Sequence, residues 1–486
     1  MIVLLHPRST KPKNRRFPLA PLALGAVLEQ RGEPYRIVDG NLDDDPLATL
    51  EAIHRETPIE LLGVSVMPGP QMVAAIPVCR AFRERHPKTP IVWGGYFPSL
   101  YAEAALNAPY VDYAVRAQGQ WTLLELLDAL RDGGDVSGIR GLSWKGSGGA
   151  FVHNPDRPME SPDAFPEPPY HRIEAERYVL PTFLGRRTAV HEASVGCPYS
   201  CSFCGVISAY GSREKMESPA RTERILRGLQ REFSIDAVQF YDNNFFVGED
   251  HAREQMERLR PLGLSWWCEA RIDAMLRYSD ETWRKIRDAG ARMIFFGAES
   301  GSNWALEQMN KKLTAEQTLE LVQRIREYGI TPELSFVVGN PHDPARDVAE
   351  NLAFIRKIKK LNPQAEIILQ HYIPTPQRER MYGDVKVDFP TTPEEWASER
   401  WLRFTTRHEP NLPWLPQGLK RRIDDFETVI SARWPTMQDH RMPAWGRGLL
   451  SSLAAWRYAL GVYRAPLELR WAQSLVNLRK PRLESL

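Results

Sequence analysis

Three cysteines stand within eight positions, Cys197, Cys201 and Cys204, in the stretch Val195-Gly196-Cys197-Pro198-Tyr199-Ser200-Cys201-Ser202-Phe203-Cys204-Gly205. Their spacing is C-x3-C-x2-C, with Gly and Pro bending the backbone around them. Thiols this close can converge on one metal centre, whereas paired disulfides need an even number. Thiolates suit zinc or an iron–sulfur cluster. No fourth Cys or His stands nearby to complete a closed zinc site of the usual kind; a zinc knuckle or three buried thiols is the plainer alternative. A cubane held by three cysteines leaves one iron open to a small molecule.

The elements that must position these thiols are strand–helix units. Thr188–Val195 reads as the strand feeding the loop. Five more strands follow at Ala237–Tyr241, Leu264–Glu269, Arg292–Ala298, Glu333–Val338 and Glu366–Tyr372. Helices alternate with them over Glu217–Phe233, Asp250–Leu259, Asp280–Asp288, Thr314–Tyr328 and Pro344–Lys360, with caps at Ser218, Ser279 and Thr314 (paired with Gln317). Six such units predict a partial barrel over residues 188–375, whose chemistry would sit at the carboxyl ends of its strands. Those ends carry Asp242, then Glu269 with Arg271, then Glu299, Gly339, and finally His371 with Tyr372. A carboxylate at the depth of Glu299 needs a partner. Asp242 suits a ligand amine or a capped loop equally. Cys268 and Cys79 read as small buried hydrophobes.

Residues 1–135 alternate in the same way, with strands at Ile2–His6, Tyr35–Val38, Leu61–Met67, Ile91–Trp93 and Tyr113–Arg116. The pattern predicts an α/β, Rossmann-like doubly wound sheet. Ligands of such sheets lie beyond the carboxyl ends of the strands, here Pro7, Ser65–Met67, Gly94–Phe97 and Ala117–Gln120. Gly94-Gly95 would let the backbone come close to a nucleotide loop. Lys11, Lys13, Arg15 and Arg16 read as a solvated basic loop. Residues 136–187, rich in Pro and Gly, read as a linker with a hairpin at Gly141–Trp144 and Ala150–His153. Residues 376–486 form a mostly helical tail, with helices over Pro393–Thr405, Leu419–Ala432 and Leu449–Tyr463, expected to pack on the barrel. Apolar positions beside Arg447, Arg457, Arg464, Arg470, Arg479 and Lys480 also allow peripheral contact with a membrane.

With 486 residues, 43% of them hydrophobic, the chain can bury a sizeable core, and a net charge of +2 gives no ground for a nucleic-acid partner. Five cysteines, three of them clustered, indicate an intracellular metal protein rather than a disulfide scaffold. Met1–Pro7 lacks a charged leader and reads as a strand, and no apolar run reaches about 18 residues. The expected compartment is the cytoplasm.

The cysteine spacing, with Phe203 just before the last thiol, resembles the radical S-adenosylmethionine (SAM) enzymes. In that family the open iron chelates the amino and carboxylate groups of SAM, and an electron cleaves SAM to a 5′-deoxyadenosyl radical. Three further motifs agree in order. Tyr241-Asp242-Asn243-Asn244-Phe245 resembles F-x-D-x-x-F, Gly297-Ala298-Glu299 matches G-x-E, and Phe336-Val337-Val338-Gly339-Asn340-Pro341 resembles F-x-x-G-x-P. The resemblance implies that Cys197, Cys201 and Cys204 hold a [4Fe-4S] cluster. It also implies that Phe203, Asp242, Gly297, Glu299, Ser300, Gly339 and Pro341 meet SAM; Glu269, with Arg271 at the third strand's end, suits the SAM carboxylate or a substrate and an ordinary ion pair equally.

The first domain resembles the cobalamin-binding domain that precedes many radical SAM domains, which implies cobalamin at Ser65, Met67, Gly94, Gly95, Tyr96 and Gly119. Two departures stand out. Phe97 occupies a position that is often His, and Arg116-Ala117-Gln118-Gly119-Gln120 replaces a stretch that is often acidic. No D-x-H-x-x-G is present, so cobalamin would bind without a protein histidine on cobalt. The tail layout resembles members grouped with anaerobic porphyrin ring cyclases and hopanoid-modifying enzymes. The function implied is a cobalamin-dependent radical SAM methyltransferase acting on an unactivated carbon of a small-molecule or lipid-like substrate. Its electron donor would be external, of the flavodoxin or ferredoxin type. A cyclase or rearrangement enzyme without methyl transfer, and a non-catalytic iron–sulfur sensor, are the alternatives.

Overall fold

Near-continuous apolar runs such as Ile2-Val3-Leu4-Leu5 suit strands covered on both faces, and two parallel sheets result. The computed structural model describes residues 1–146, 148–373, 387–405, 412–437 and 442–476. The first sheet comprises β1 (Ile2–His6), β2 (Tyr35–Asp39), β3 (Leu61–Ser65), β4 (Ile91–Gly94), β5 (Tyr113–Val115), β6 (Leu142–Lys145) and β7 (Phe151–His153). Its order is β2-β1-β3-β4-β5-β6-β7. The first five strands are parallel, and β6 and β7 add antiparallel to the edge. The hairpin of the Pro- and Gly-rich segment is therefore part of this sheet. Strand order reverses between β1 and β3, so a crevice opens at their carboxyl ends.

The second sheet comprises β8 (Thr188–His191), β11 (Ala237–Phe240), β12 (Ser265–Ala270), β13 (Ala291–Glu299), β14 (Thr331–Val338) and β15 (Glu366–His371). All six run parallel and in sequence order, the arrangement of an incomplete (β/α) barrel. The strand expected over Thr188–Val195 is two strands. After His191 the chain leaves the barrel, and β9 (Ser194–Cys197) pairs antiparallel with β10 (Arg213–Met216). Gly196 permits this: its φ is +83°, and a Cβ there would collide with the Arg213 carbonyl. Ser279 and Thr314 cap their helices as expected. Ser218 makes no cap bond; its hydroxyl donates to Asp163 instead.

The basic loop after β1 is more than solvated surface. Arg16 Nε donates to the Tyr241 hydroxyl at 2.7 Å, and Phe17 is buried against Tyr170 and Tyr178 of the connecting segment. The tail divides its packing between the domains. Trp396, Trp401 and Phe404 join the core of the first domain beside Phe97. Helix Gln417–Arg433 lies against barrel helix Pro344–Leu361 and builds a small bundle with Ala444–Leu460 and Leu467–Leu475. That last helix, Leu467–Leu475, lies beyond the three helices expected from the sequence, and Pro466 precedes its first residue. Arg479 and Lys480 lie outside the described residues. Among the described residues no helix is long and apolar enough to cross a membrane.

Because Phe17 plugs the junction between the two sheets, Phe17→Ala should cost about 3–5 kcal/mol of stability. The cost should be read as a lowered denaturant midpoint.

Candidate active site

The thiol loop leaves β9 at Cys197 and enters a short helix, Gly205–Tyr210. Cys201 is buried, while Cys197 and Cys204 are half-buried. The loop is held from below by the segment that follows β13. Ser202 N donates to the Met309 carbonyl at 2.9 Å, Ser202 Oγ donates to the Gln308 carbonyl, and Asn310 Nδ2 donates to the Ser200 carbonyl. Arg271, from the end of β12, grips it from the side. Its guanidinium donates to Cys201 Sγ at 3.2 Å, Asp273 Oδ1 at 2.9 Å and the Lys311 carbonyl at 2.5 Å, and lies 3.8 Å over the Tyr199 ring.

Glu299 ends β13 at a register shift, with φ of +60°. Its Oε1 accepts from Lys311 Nζ at 2.7 Å, and both side chains are buried. A Cβ on Gly297 would stand 2.7 Å from Lys311 Nζ, so the glycine makes room for this pair. The same ammonium lies 5.8 Å over the Phe203 ring and, with Glu299, is close enough to bias Cys204. Ser300 is turned away, its hydroxyl bonded to Asn351. Phe203 packs with Met309, Val337, Tyr372 and Trp414 in an apolar slot. Gly339, φ +88°, donates its N–H to Asp347 and accepts from Trp414 Nε1, and Leu415 fills the space beside it. Asn340 ties this turn to Gln308, and Pro341 follows half-buried.

Asp242 is fully buried at the end of β11. Its Oδ1 accepts from Ser194 Oγ at 2.6 Å, while Oδ2 has no partner, and burial pushes its carboxyl up to about 6. Both polar atoms of Asn244 and Oε1 of Gln239 are also buried and unpaired. Alternation along β12 turns Cys268 outward into the core and Glu269 inward. Burial first, then the Glu333 charge, raises Glu269 to about 8. Glu192, just past β8, keeps solvent-accessible surface although protein surrounds it; burial and the Asp242 charge raise it to about 8 as well. His371, at the end of β15, is lowered to about 4 by burial, and its Nδ1 is unpaired.

On the opposite wall, Gly95 has φ of +92°, and a Cβ there would press on the Val66 backbone at 3.2 Å. Ser65 ends β3, and the Met67 N–H is fixed by Gln71 Oε1 at 2.9 Å. Gly94 is half-buried, and Gly119 starts helix Gln120–Asp132 close against Val115. Tyr96 reaches across to the thiol loop, where a Cβ on Gly205 would strike its hydroxyl. Phe97 is fully buried beside Trp93, Tyr101 and Trp396, so that position is core. Gln118 bonds both the N–H and the carbonyl of Glu160, stapling the connecting segment.

Sequence reasoning missed Lys311, Glu192, Trp414 and the role of Arg16. Each reaches the site by a loop or a domain contact, which leaves no periodic trace. Only the Asn-Lys-Lys run after the G-x-E strand hinted at a cation.

The residues fit the implied groups. Burial raises Cys197 to about 11 and Cys204 upward, so metal ligation is what would hold them as thiolates. Among the described residues no three His, Cys, Asp or Glu crowd tightly enough for one metal ion. In the first domain the exposed large apolar residues among those described are Met67 and Val73, both beside the crevice at the end of β3, where a flat macrocycle would cover them.

Residues 9–127 match the B12 binding domain and residues 192–355 match the Radical SAM superfamily. An uncharacterized methyltransferase of Pyrococcus horikoshii is 26% identical over 341 residues, 69% of this chain and 72% of that protein. The anaerobic magnesium-protoporphyrin IX monomethyl ester cyclase of Rubrivivax gelatinosus is 26% identical over 282 residues, covering 56% of this chain and 50% of the cyclase. The fold matches that of the radical SAM methyltransferase TsrM from Kitasatospora setae, solved with cobalamin and a [4Fe-4S] cluster bound. That match has a TM-score of 0.67, 19% identity, and 98% coverage of each chain. With a cysteine loop lodged between a B12-type sheet and a partial barrel, the chain belongs to the cobalamin-binding radical SAM family, whose cofactors are a [4Fe-4S] cluster, SAM and cobalamin.

Proposed function

We propose that this protein is a cobalamin-dependent radical SAM methyltransferase acting on an unactivated carbon of a small-molecule or lipid-like substrate. The observation that carries this reading is that the carboxyl ends of the two parallel sheets face one another across the thiol loop. Arg16, after β1, meets Tyr241, after β11; Tyr96, after β4, meets Gly205, after β9. Methyl transfer is preferred to cyclisation because a methyltransferase is matched in sequence over 69% of this chain and 72% of its own, and the methyltransferase TsrM shares the fold over 98% of each chain, although a ring cyclase of Synechocystis is also matched over 70% of its length.

In this reading Cys197, Cys201 and Cys204 hold the cluster. Glu299 with Lys311, Asp242, Phe203 and the Gly339–Pro341 turn surround SAM, and Gly297 leaves room for the Glu299–Lys311 pair. Ser65, Met67, Gly94, Gly95, Tyr96 and Gly119 line the cobalamin crevice. The bound groups supply one-electron cleavage of SAM and a transferable methyl group. The chain's own residues position and insulate: Arg271 fixes the loop through Cys201, and the apolar slot of Phe203, Met309 and Trp414 excludes water. Glu192 and Glu269, whose carboxyls are raised by burial, stand at strand ends where they can hydrogen-bond a substrate. An external donor of the flavodoxin or ferredoxin type would supply the electron.

Under anaerobic turnover the products should include both S-adenosylhomocysteine and 5′-deoxyadenosine; deoxyadenosine alone would favour the cyclase reading, and neither would favour a sensor. Cys201→Ala should lower deoxyadenosine formation to below about one-hundredth of wild type and remove the cluster's visible absorption. Arg271→Lys keeps the charge but loses the planar three-way grip. Iron retention and deoxyadenosine formation should both fall by about tenfold or more, measured by iron content and single-turnover product.

A further inference from the structure

The last two described helices carry an apolar face that no part of the described chain covers. On Ala444–Leu460, Trp445, Leu449, Trp456 and Leu460 recur at helical spacing and fall within about 60° of one another on the helix surface. Trp445 is 65% exposed, Trp456 49% and Leu460 73%. On Leu467–Leu475, Leu467, Trp471 and Leu475 make a second such stripe, with Trp471 67% exposed. The opposite faces, including Leu450, Ala454, Leu469 and Ala472, are spent on the bundle core. The two helices are joined: Gly446 lies against Val476, and Arg457 pairs with Glu468 at 2.9 Å. The stripes therefore belong to one small body.

Charge along this stretch of sequence is one-sided. From Arg441 to Leu467 the sequence holds no Asp or Glu, and over 441–486 eight Arg and Lys stand against two Glu, in a chain whose net charge is only +2. Glu468, the one acid among the described residues of this stretch, is occupied by Arg457, and Arg470 is paired with Asp425 of the adjoining helix Gln417–Arg433. Arg447 and Arg464 are exposed near the stripes.

We propose that this face docks on the surface of an anionic bilayer, with the two helices lying in the headgroup plane. Tryptophan, apolar in body with one polar N–H, favours that depth, and arginine complements anionic headgroups. A second copy of the chain is the poorer occupant. A two-fold interface places the same patch against itself, so the arginine rims would face like charge. The inference goes beyond the methyl-transfer reading and stands or falls separately from it, on binding alone.

The test is co-sedimentation of the full-length protein, handled anaerobically, with phosphatidylcholine vesicles prepared with and without phosphatidylglycerol. Wild type should sediment with the phosphatidylglycerol vesicles, weakly with phosphatidylcholine alone, and less as salt rises. The double variant Trp456→Ser/Trp471→Ser should lower partitioning by about tenfold or more. Arg464→Glu should lower it by roughly fivefold or more. Thermal melting should stay unchanged, because these side chains are largely outside the core. Absence of binding to phosphatidylglycerol vesicles, or equal binding by the variants, overturns the proposal. So does a lipid-free wild-type dimer that the tryptophan variant converts to monomer.

Discussion

One buried guanidinium sets the geometry on which the site depends. Arg271 is 6% exposed, and a charge so placed is tolerable only when its donors are all met. Its acceptors come from three places: the thiol of Cys201, the carboxylate of Asp273 and the backbone of Lys311. One side chain thereby fixes the thiol loop relative to both β12 and the segment that follows β13. Lys311, held by its carbonyl, turns its ammonium to Glu299, and that pair stands beside Cys204 and Phe203. The thiol loop and the G-x-E carboxylate are thus brought together by two cations whose burial obliges them to keep these partners.

The second constraint is the meeting of two parallel sheets. Each sheet directs the loops at its carboxyl ends to one side, and the contacts of Arg16 with Tyr241 and of Tyr96 with Gly205 make those sides coincide. Gly205 bears no side chain where Tyr96 arrives, and Phe17 closes the back of the junction against Tyr170 and Tyr178. Polar atoms of Asp242, Asn244 and Gln239 are left inside without partners. Buried polar groups are rarely left so, and here all three belong to β11 and the turn that follows it.

Much of this architecture was legible in the residues. The period of the apolar runs located both sheets, and boundaries moved by one or two residues, because caps and frayed ends carry little pattern. The break at Glu192 was not legible: Thr188–Val195 is apolar enough for one strand, and only pairing with Arg213–Met216 divides it. Arg16 looked solvated because a loop has no period, and its partner lies 225 positions away. Phe97 and Gln118 stood out as departures, and packing explained both: one fills the core beside Trp396, the other staples the connecting segment at Glu160. Ser300 shares its stretch with Glu299, yet a bulge sends the two side chains in opposite directions.

By itself the sequence determined the local chemistry: three thiols that can share one cluster, glycines where the backbone must turn or yield room, carboxylates at strand ends, and a tail rich in tryptophan and arginine. These follow from residue type and short-range spacing, which short-range sterics and ligand geometry constrain directly. Tertiary structure decided which charges face each other. The pairing of Lys311 with Glu299 depends on the turn that follows β13, and the grip of Arg271 on Cys201 and the meeting of Arg16 with Tyr241 depend on contacts between segments far apart in the chain. The physical reason is that burial and partnership are properties of the packed whole, and no local pattern of residues encodes what will stand on the other side of a cavity.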